Sequence, residues 1–218
     1  YEDVWSDAYG DWFDLAGALE SHFDRGGVGS IREMLETLQA QGYNFDFINA
    51  RRLKESVADG GVLHVGPMRY RAVILPAMSA MDPAALEHLR DFCRSGGLVV
   101  GVNRLPETSP GFLGAEKESA LVRQLIREIF GEVQNPSGGS RTSVPGALTN
   151  PSGRENGLFV PPDPYQSLAP GTHPIANLLG PRIKPDLSID PPDAQVGFVH
   201  RADGNRQIYF LANVSARG

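Results

Sequence analysis

The sequence has one cysteine, Cys93, and no long apolar run, and each shortage excludes a class of protein. A single cysteine cannot form a disulfide within the chain, so a disulfide-stabilised fold is excluded. No stretch approaches the roughly eighteen consecutive apolar residues of a membrane-spanning helix. No segment combines the basic start and apolar centre of a signal peptide. The sequence therefore predicts no membrane partner.

Positive charge is also in short supply. The chain has 26 acidic residues against 20 basic ones, which gives a net charge of -6 at pH 7. Proteins that bind nucleic acid present a basic face to the phosphates, so this balance argues against a nucleic-acid partner. This net charge is more typical of a protein that handles neutral ligands such as sugars.

Several motifs that carry chemistry are missing. There is no G-x-S-x-G or G-x-C-x-G elbow for a nucleophile, and the five histidines lack the spacing of a zinc site. The glycines of Gly26–Gly29 precede a helix, but they do not follow a buried strand, so we interpret them as a turn and not a phosphate loop. The sequence predicts no catalytic, cofactor-binding or metal-binding residue within this chain.

Cys93 lies in the pattern LEHLRDFCRSG, near the end of a predicted helix. Leu86, Leu89 and Phe92 share its helical face. A reactive cysteine needs a helix N-terminus or a cationic neighbour to lower its pKa. We therefore interpret Cys93 as a small buried apolar side chain.

The first thirty residues predict helices and no strand. Apolar residues at helical spacing predict a helix from about Asp11 to Phe23. Ser30 and Glu33 then form a capping box for a second helix, which Gly42 ends. Because a doubly wound domain normally opens with a buried strand, we expect the chain to be a fragment whose first strand lies upstream of Tyr1.

From Gly42 to Pro106 the pattern alternates between strands and helices. Strands are predicted at Tyr43–Ile48, Arg71–Leu75 and Leu98–Val102, with a further short strand or hairpin arm at Val62–Val65. Asn49 caps a short helix, and Asp82-Pro83 begins a longer one that Gly96-Gly97 ends. This order predicts an α/β fold: a three-layer, doubly wound, mostly parallel sheet of the flavodoxin-like or class I glutamine-amidotransferase-like type.

The composition changes after the next helix, Glu116–Phe130. Twelve of the 17 prolines fall between Pro136 and Pro192, which predicts a mostly irregular segment. Within it, residues 157–160 are a candidate strand and residues 175–179 a candidate short helix. Strands at Val196–His200 and Gln207–Ala212 then flank an Asp-Gly turn, which predicts a C-terminal antiparallel hairpin. The predicted domains are 1–134 (α/β), 135–194 (irregular, packing on it) and 195–218 (a hairpin that closes the domain or opens a β-sandwich).

The order of these motifs resembles one family. GYNFDFIN, YRAVILPAM, GGLVVGVNRLPETSP and VGFVHRADGNRQIYFLAN, taken together, are similar to the middle portion of the multidomain α-L-rhamnosidases of glycoside hydrolase family 106. The resemblance runs from about Gly42 to Asn213. It implies a class I glutamine-amidotransferase-like or β-galactosidase-trimerisation-like α/β domain that leads into a β-sandwich.

The resemblance implies a secreted or periplasmic enzyme that removes rhamnose-like sugars from glycans. In that family a barrel upstream supplies the paired carboxylates and a calcium site, so no catalytic residue is carried over to this chain. The implied partners are other domains of the parent chain, a glycan substrate and further copies in an oligomer.

The residues themselves offer few candidate acids. Glycoside hydrolysis needs two carboxyl groups across one sugar. Asp46 within a predicted strand and Glu107 after another are the candidates, and neither has a visible partner acid. His200-Arg201 in the hairpin is the best polar pair, and residues at such positions usually face water.

Three hypotheses for function therefore stay open. The first is a non-catalytic accessory domain of a glycoside hydrolase. The second is a carbohydrate-binding or interaction module in which Trp5, Tyr9 and Trp12 stack on sugar rings, although core or interdomain packing is the more usual role of such aromatics. The third is a free-standing flavodoxin-like enzyme, which the missing phosphate loop disfavours.

Overall fold

The computed structural model describes residues 31–111, 114–133, 156–161, 174–190 and 195–213. These residues fall into two compact units. The first unit comprises the described residues between 48 and 164, and the second comprises those between 28 and 47 and from 165 onward. In chain order the helices and strands are α1 (Ile31–Ala40), α2 (Ala50–Lys54), β1 (Val57–Asp59), β2 (Val62–Val65), β3 (Met68–Tyr70), β4 (Ala72–Leu75), α3 (Pro83–Arg94), β5 (Leu98–Val102), α4 (Ala115–Phe130), β6 (Gly157–Val160), α5 (Ile175–Leu179), β7 (Val196–Asp203) and β8 (Arg206–Asn213).

The first unit opens with a capped helix and an antiparallel meander. Asn49 caps α2, as predicted, by accepting a hydrogen bond from the amide of Arg52. Strands β1, β2 and β3 then pair antiparallel in sequence order. The sequence pattern predicted only the middle strand, because three-residue strands such as β1 and β3 are too short to show an alternation.

A parallel sheet with the strand order β4-β5-β6 forms the centre of the first unit. Val73 lies opposite Val99 in the first pair, and Val100 lies opposite Leu158 in the second. All five residues of β5 are buried, which confirms the prediction of a parallel strand covered on both faces. The chain is therefore a mixed α/β protein with a parallel sheet.

Helix α3 begins where the sequence predicted. The Asp82 carboxylate accepts a hydrogen bond from the amide of Ala84, and Pro83 occupies the first turn, where no amide is needed. After Arg94 the chain turns through Gly96, whose φ is 104°. These local signals lie within a few residues of the helix ends and make its limits predictable from sequence.

The core of the first unit lies between the parallel sheet and the packed pair α3 and α4. Leu89 and Phe92 of α3 are fully buried, and Leu125 and Ile129 of α4 are buried against them. Cys93 belongs to the same cluster and is 7% exposed, which confirms its interpretation as a buried apolar side chain.

The second unit begins with α1, which ends as predicted at Gly42. This glycine has a φ of 78°, and the amide of Tyr43 donates to the carbonyl of Leu38. Helix α1 packs on the short helix α5 and on β7. The capping box at Ser30 and the helix predicted at 11–23 lie outside the described residues.

The predicted strand at residues 43–48 is wrong. These residues form no regular helix or strand, although their alternating aromatic residues are typical of one. The Tyr43 hydroxyl donates to the carbonyl of Ile183, and the amide of Asn44 donates to the carboxylate of Asp186. The backbone amide of Asn44, which a strand would use in a sheet, is thus bonded to a side chain distant in sequence.

The predicted hairpin is confirmed. Strands β7 and β8 pair antiparallel over eight residue pairs, from Val196 opposite Asn213 to Asp203 opposite Arg206. Gly204 and Asn205 form the turn, and the φ of Gly204 is 56°. Every residue of β8 is exposed.

Candidate functional site

The candidate site is a polar cluster around His200 on β7, in the second unit. The Nδ1 atom of His200 lies 2.8 Å from Oδ1 of Asp186. Its Nε2 atom lies 2.6 Å from Oε1 of Gln207 on β8. The ring of Tyr209 stacks on the imidazole, with centroids 4.4 Å apart and planes 3° from parallel. Both ring nitrogens and the ring plane therefore have partners.

The hairpin itself brings three of these side chains together. His200 lies directly opposite Tyr209, and paired residues in an antiparallel sheet project from the same face. Gln207 is two residues before Tyr209 and is therefore a diagonal neighbour on that face. The alternation in the hairpin sequence contains this signal, although only His200 and Arg201 were predicted as a polar pair.

Asp186 comes from the proline-rich segment that the sequence predicted to be irregular. Its Oδ2 atom accepts a hydrogen bond of 3.0 Å from the backbone amide of Asn44. Its other oxygen faces His200, so one carboxylate connects the hairpin to residues 43–47. No sequence signal predicted this residue, because it lies in an irregular segment that has no periodicity from which to place a side chain.

The surroundings of His200 favour its charged form. The hydrogen bond to Asp186 raises the pKa of the imidazole above its ordinary value, and the hydrogen bond to Gln207 adds to this. Burial and the positive charge of Arg201 act in the opposite direction and are smaller. The side chain of His200 is 18% exposed, so the ring is partly shielded from water.

Arg201 and Asp46, both singled out in the sequence, lie beside this cluster. A guanidinium nitrogen of Arg201 is 3.6 Å from Oδ1 of Asp46. A second one donates to the carbonyl of His200 at 3.1 Å. Asp46 thus takes part in an exposed ion pair. Such pairs contribute little to the stability of a protein.

In the first unit, the loops that follow β4 and β5 are hydrogen-bonded to each other. Doubly wound proteins bind ligands outside the carboxyl ends of their strands. Here the carbonyl of Ser79 accepts from the amides of Glu107 and Thr108, at 3.0 and 3.2 Å. The amide of Met81 donates to the carbonyl of Thr108 at 3.0 Å. Glu107 is exposed beside these loops, and Asp46 belongs to the other unit.

Asn103 ends β5 in a conformation that few residues adopt. Its φ is 64°, and its amide donates to the carbonyl of Val160 at 2.8 Å. Asparagine tolerates this left-handed region better than other residues with a side chain. The residue redirects the chain from β5 into the loop that pairs with residues 78–81.

Other carboxylates of the first unit also have structural partners. Glu118 accepts a hydrogen bond from the Ser109 hydroxyl at 2.6 Å, and Glu128 pairs with Arg94 at 2.9 Å. Within the described ranges, no group of three or more histidine, cysteine, aspartate or glutamate side chains is placed to hold a metal ion. No helix in those ranges is long and apolar enough to cross a membrane. Gly26–Gly29 and the aromatic residues Trp5, Tyr9 and Trp12 lie outside the part of the chain described.

A comparison with models of protein families agrees with the first three motifs seen in the sequence, and the hairpin motif lies outside the matched residues. A search of curated proteins and a search of solved structures found no match. The model of glycoside hydrolase family 106, described as alpha-L-rhamnosidase, matches residues 27–152, which is more than half of the chain. The match includes α1 and the whole of β4, α3, β5 and α4. The chain therefore belongs to the alpha-L-rhamnosidase family of glycoside hydrolases, family 106.

Proposed function

We propose that this chain is a non-catalytic accessory region of an α-L-rhamnosidase-type glycoside hydrolase. The catalytic carboxylates and any calcium site would lie on a barrel elsewhere in the parent enzyme. The accessory region would support that barrel through contacts with other domains. We further propose a secreted or periplasmic location and a three-layer, glutamine-amidotransferase-like arrangement.

The observation that carries this proposal is the closure of the loops after β4 and β5. In a doubly wound domain this is where a substrate would enter. The backbone bonds from Ser79 and Thr108 hold the two loops together instead. A cleft between these strand ends would require those bonds to break.

The carboxylates support the same conclusion. A glycosidase needs an acid with a raised pKa next to a second carboxylate about 5 to 10 Å away. Asp82 has the opposite property: although burial raises its pKa, hydrogen bonds from Lys54 and the Ala84 amide outweigh that effect and lower it. Such an acid stays ionised and acts as a cap.

Hydrolysis of an aryl α-L-rhamnoside tests the proposal. The 218-residue chain is expected to release no aryl alcohol above the buffer rate, while a longer parent polypeptide that includes the barrel is expected to be active. Turnover by the chain alone that a Glu107→Gln variant abolishes would contradict the accessory role. An Asp203→Asn variant is the matched control for loss of one acid, since this residue lies at the far end of β7.

A second candidate function is carbohydrate binding, and the His200–Tyr209 stack favours it. A partly exposed aromatic ring held in place by a neighbour is a good platform for a sugar ring. Tyr209 is 42% exposed and is fixed by its contact with His200. Titration with rhamnose-containing oligosaccharides would shift the NMR signals of Tyr209 and of the neighbouring His200 ring if Tyr209 binds them, and in a Tyr209→Leu variant the His200 signals should no longer respond. Unchanged signals at millimolar sugar would rule out this candidate.

A further inference from the structure

The hydrogen bonds of His200 favour one protonation state. Nδ1 faces a carboxylate oxygen of Asp186, and Nε2 faces the amide oxygen of Gln207. With the Gln207 amide in this orientation both oxygens are acceptors, so both ring nitrogens donate. Only the imidazolium carries two N–H groups. These contacts therefore favour a positively charged His200, in agreement with its raised pKa.

This charge is connected to two other segments of the second unit. The carboxylate that pairs with His200 also accepts the amide of Asn44. The side-chain amide of Asn44 donates to the carbonyl of His200, at 3.4 Å. One proton on the ring thus stabilises a closed group of contacts among the hairpin, Asp186 and Asn44.

We propose that protonation of His200 is a pH-sensitive latch that holds the β7–β8 hairpin to Asp186 and, through that carboxylate, to the backbone of Asn44. When the ring loses its proton, it can donate to only one of its two partners. The amide of Gln207 must then turn over to donate, and the bond to Asp186 loses its ionic character. Charge-assisted hydrogen bonds are roughly twice as strong as neutral ones, so the latch weakens.

The direction of the pH dependence follows from the charges that act on the ring. Asp186 faces it from the 180–190 segment, and Arg201 acts from its own strand, where it pairs with Asp46. On β8, Tyr209 and Gln207 contact the ring. Helix α1 also packs against β7, and its charged residue with a described side chain is Glu36. The hydrogen bonds to Asp186 and Gln207 outweigh burial and the charge of Arg201 and raise the pKa of His200 above its ordinary value of 6.5. The stabilisation is therefore complete below about pH 6.5 and is lost as the pH rises through the higher pKa of the folded state.

NMR on the full chain tests the proposal. The ring nitrogens of His200 and the amide of Asn44 would be followed from about pH 5.5 to about pH 9. We expect the ring to titrate above pH 6.5. We expect the hydrogen exchange of the Asn44 amide, relative to its intrinsic rate, to become about fivefold faster with the same midpoint. The amide of Ser95, which donates to the carbonyl of Asp91 at the end of α3, is the internal control.

Two substitutions that each remove one negative charge distinguish the latch from a general effect of net charge on the His200 midpoint. Asp186→Asn removes the ionic partner and should move the His200 midpoint to lower pH. Asp203→Asn removes one negative charge from the same strand without touching the ring, and it should move the midpoint less. In a His200→Gln variant, the exchange of the Asn44 amide should lose its pH dependence.

Three results would overturn the proposal. The first is a His200 midpoint at or below 6.5, which would mean that the ring is neutral and the Gln207 amide is turned the other way. The second is an Asn44 amide whose exchange does not follow the ring titration. The third is an equal effect of Asp186→Asn and Asp203→Asn on the midpoint.

Discussion

At the scale of single residues, Gly42 is the position where the second unit depends most on the absence of a side chain. Its φ is 78°, and a Cβ atom there would collide with the carbonyl oxygen of Leu187. Its own carbonyl accepts the amides of Asp186 and Leu187, at 2.9 and 3.1 Å. The glycine thus ends α1 and also holds the segment that carries Asp186.

We predict that Gly42→Ala lowers the free energy of unfolding by about 2 to 4 kcal/mol, through left-handed strain and overpacking together. Gly60→Ala is the matched control, because Gly60 has a φ of 53° and nothing within 4 Å of the added Cβ. It should cost about 1 kcal/mol, the strain alone. Chemical denaturation of both variants measures the difference, and equal losses would show that the Leu187 contact yields easily.

At the scale of elements, α3 shows how one acid can join two helices. Asp82 caps α3, and its Oδ2 atom lies 2.7 Å from the ammonium of Lys54 at the end of α2. The carboxylate is therefore a cap and an ion-pair partner at once. Lys54 is more than a third exposed, so the ion pair contributes less than the cap.

We predict that Asp82→Ala destabilises the protein by about 1 to 2 kcal/mol, whereas Asp82→Asn, which keeps a capping oxygen, costs less. The lowered pKa of Asp82 means that its stabilising effect is present above the unfolded value of 3.8 and is lost as the pH falls through the lower folded value. Thermal unfolding of the three proteins at neutral and acid pH checks this. A gap between the native chain and Asp82→Ala that stays constant down to the lowest pH would contradict it.

The elements also show what sequence patterns can predict. Helix α3 was predictable because Asp82, Pro83 and Gly96 act on their immediate neighbours in the chain. Residues 43–48 have an equally regular pattern, yet they form no strand: the backbone amide of Asn44 bonds to the Asp186 side chain, and the Tyr43 hydroxyl bonds to Ile183. A local pattern cannot reveal a partner about 140 residues away.

The candidate site divides in the same way. The turn of the hairpin was predictable from Asp203-Gly204. His200 and Gln207 share one face of that hairpin, so their proximity follows from local sequence. Asp186 does not, because an irregular proline-rich segment has no periodicity from which to place a side chain. The part of the site that sets the charge of His200 is the part that the sequence could not predict.

At the scale of the whole molecule, net charge and exposed apolar surface have opposite effects on self-association. The chain carries a charge of -6 at pH 7 and has a pI near 5.4. In β8, Phe210 is 64% exposed and Leu211 is 62% exposed. Charge repulsion keeps such surfaces apart at neutral pH and fades near the pI.

We predict a solubility minimum near pH 5.4 that Phe210→Glu relieves more than Val57→Glu does. Both residues are 64% exposed, and both substitutions add one negative charge, so the pair isolates the effect of position. Light scattering against pH measures self-association. Equal relief by the two variants would mean that net charge alone governs it.

The side chain of Asn44 affects where a further strand could pair with the hairpin. Its amide and the guanidinium of Arg201 both donate to the carbonyl of His200, so the outer edge of β7 is already occupied at that point. Pairing with a new strand there would require both donors to leave. Strand addition at this point of β7, whether from the same polypeptide or another, therefore competes with contacts that the protein already makes.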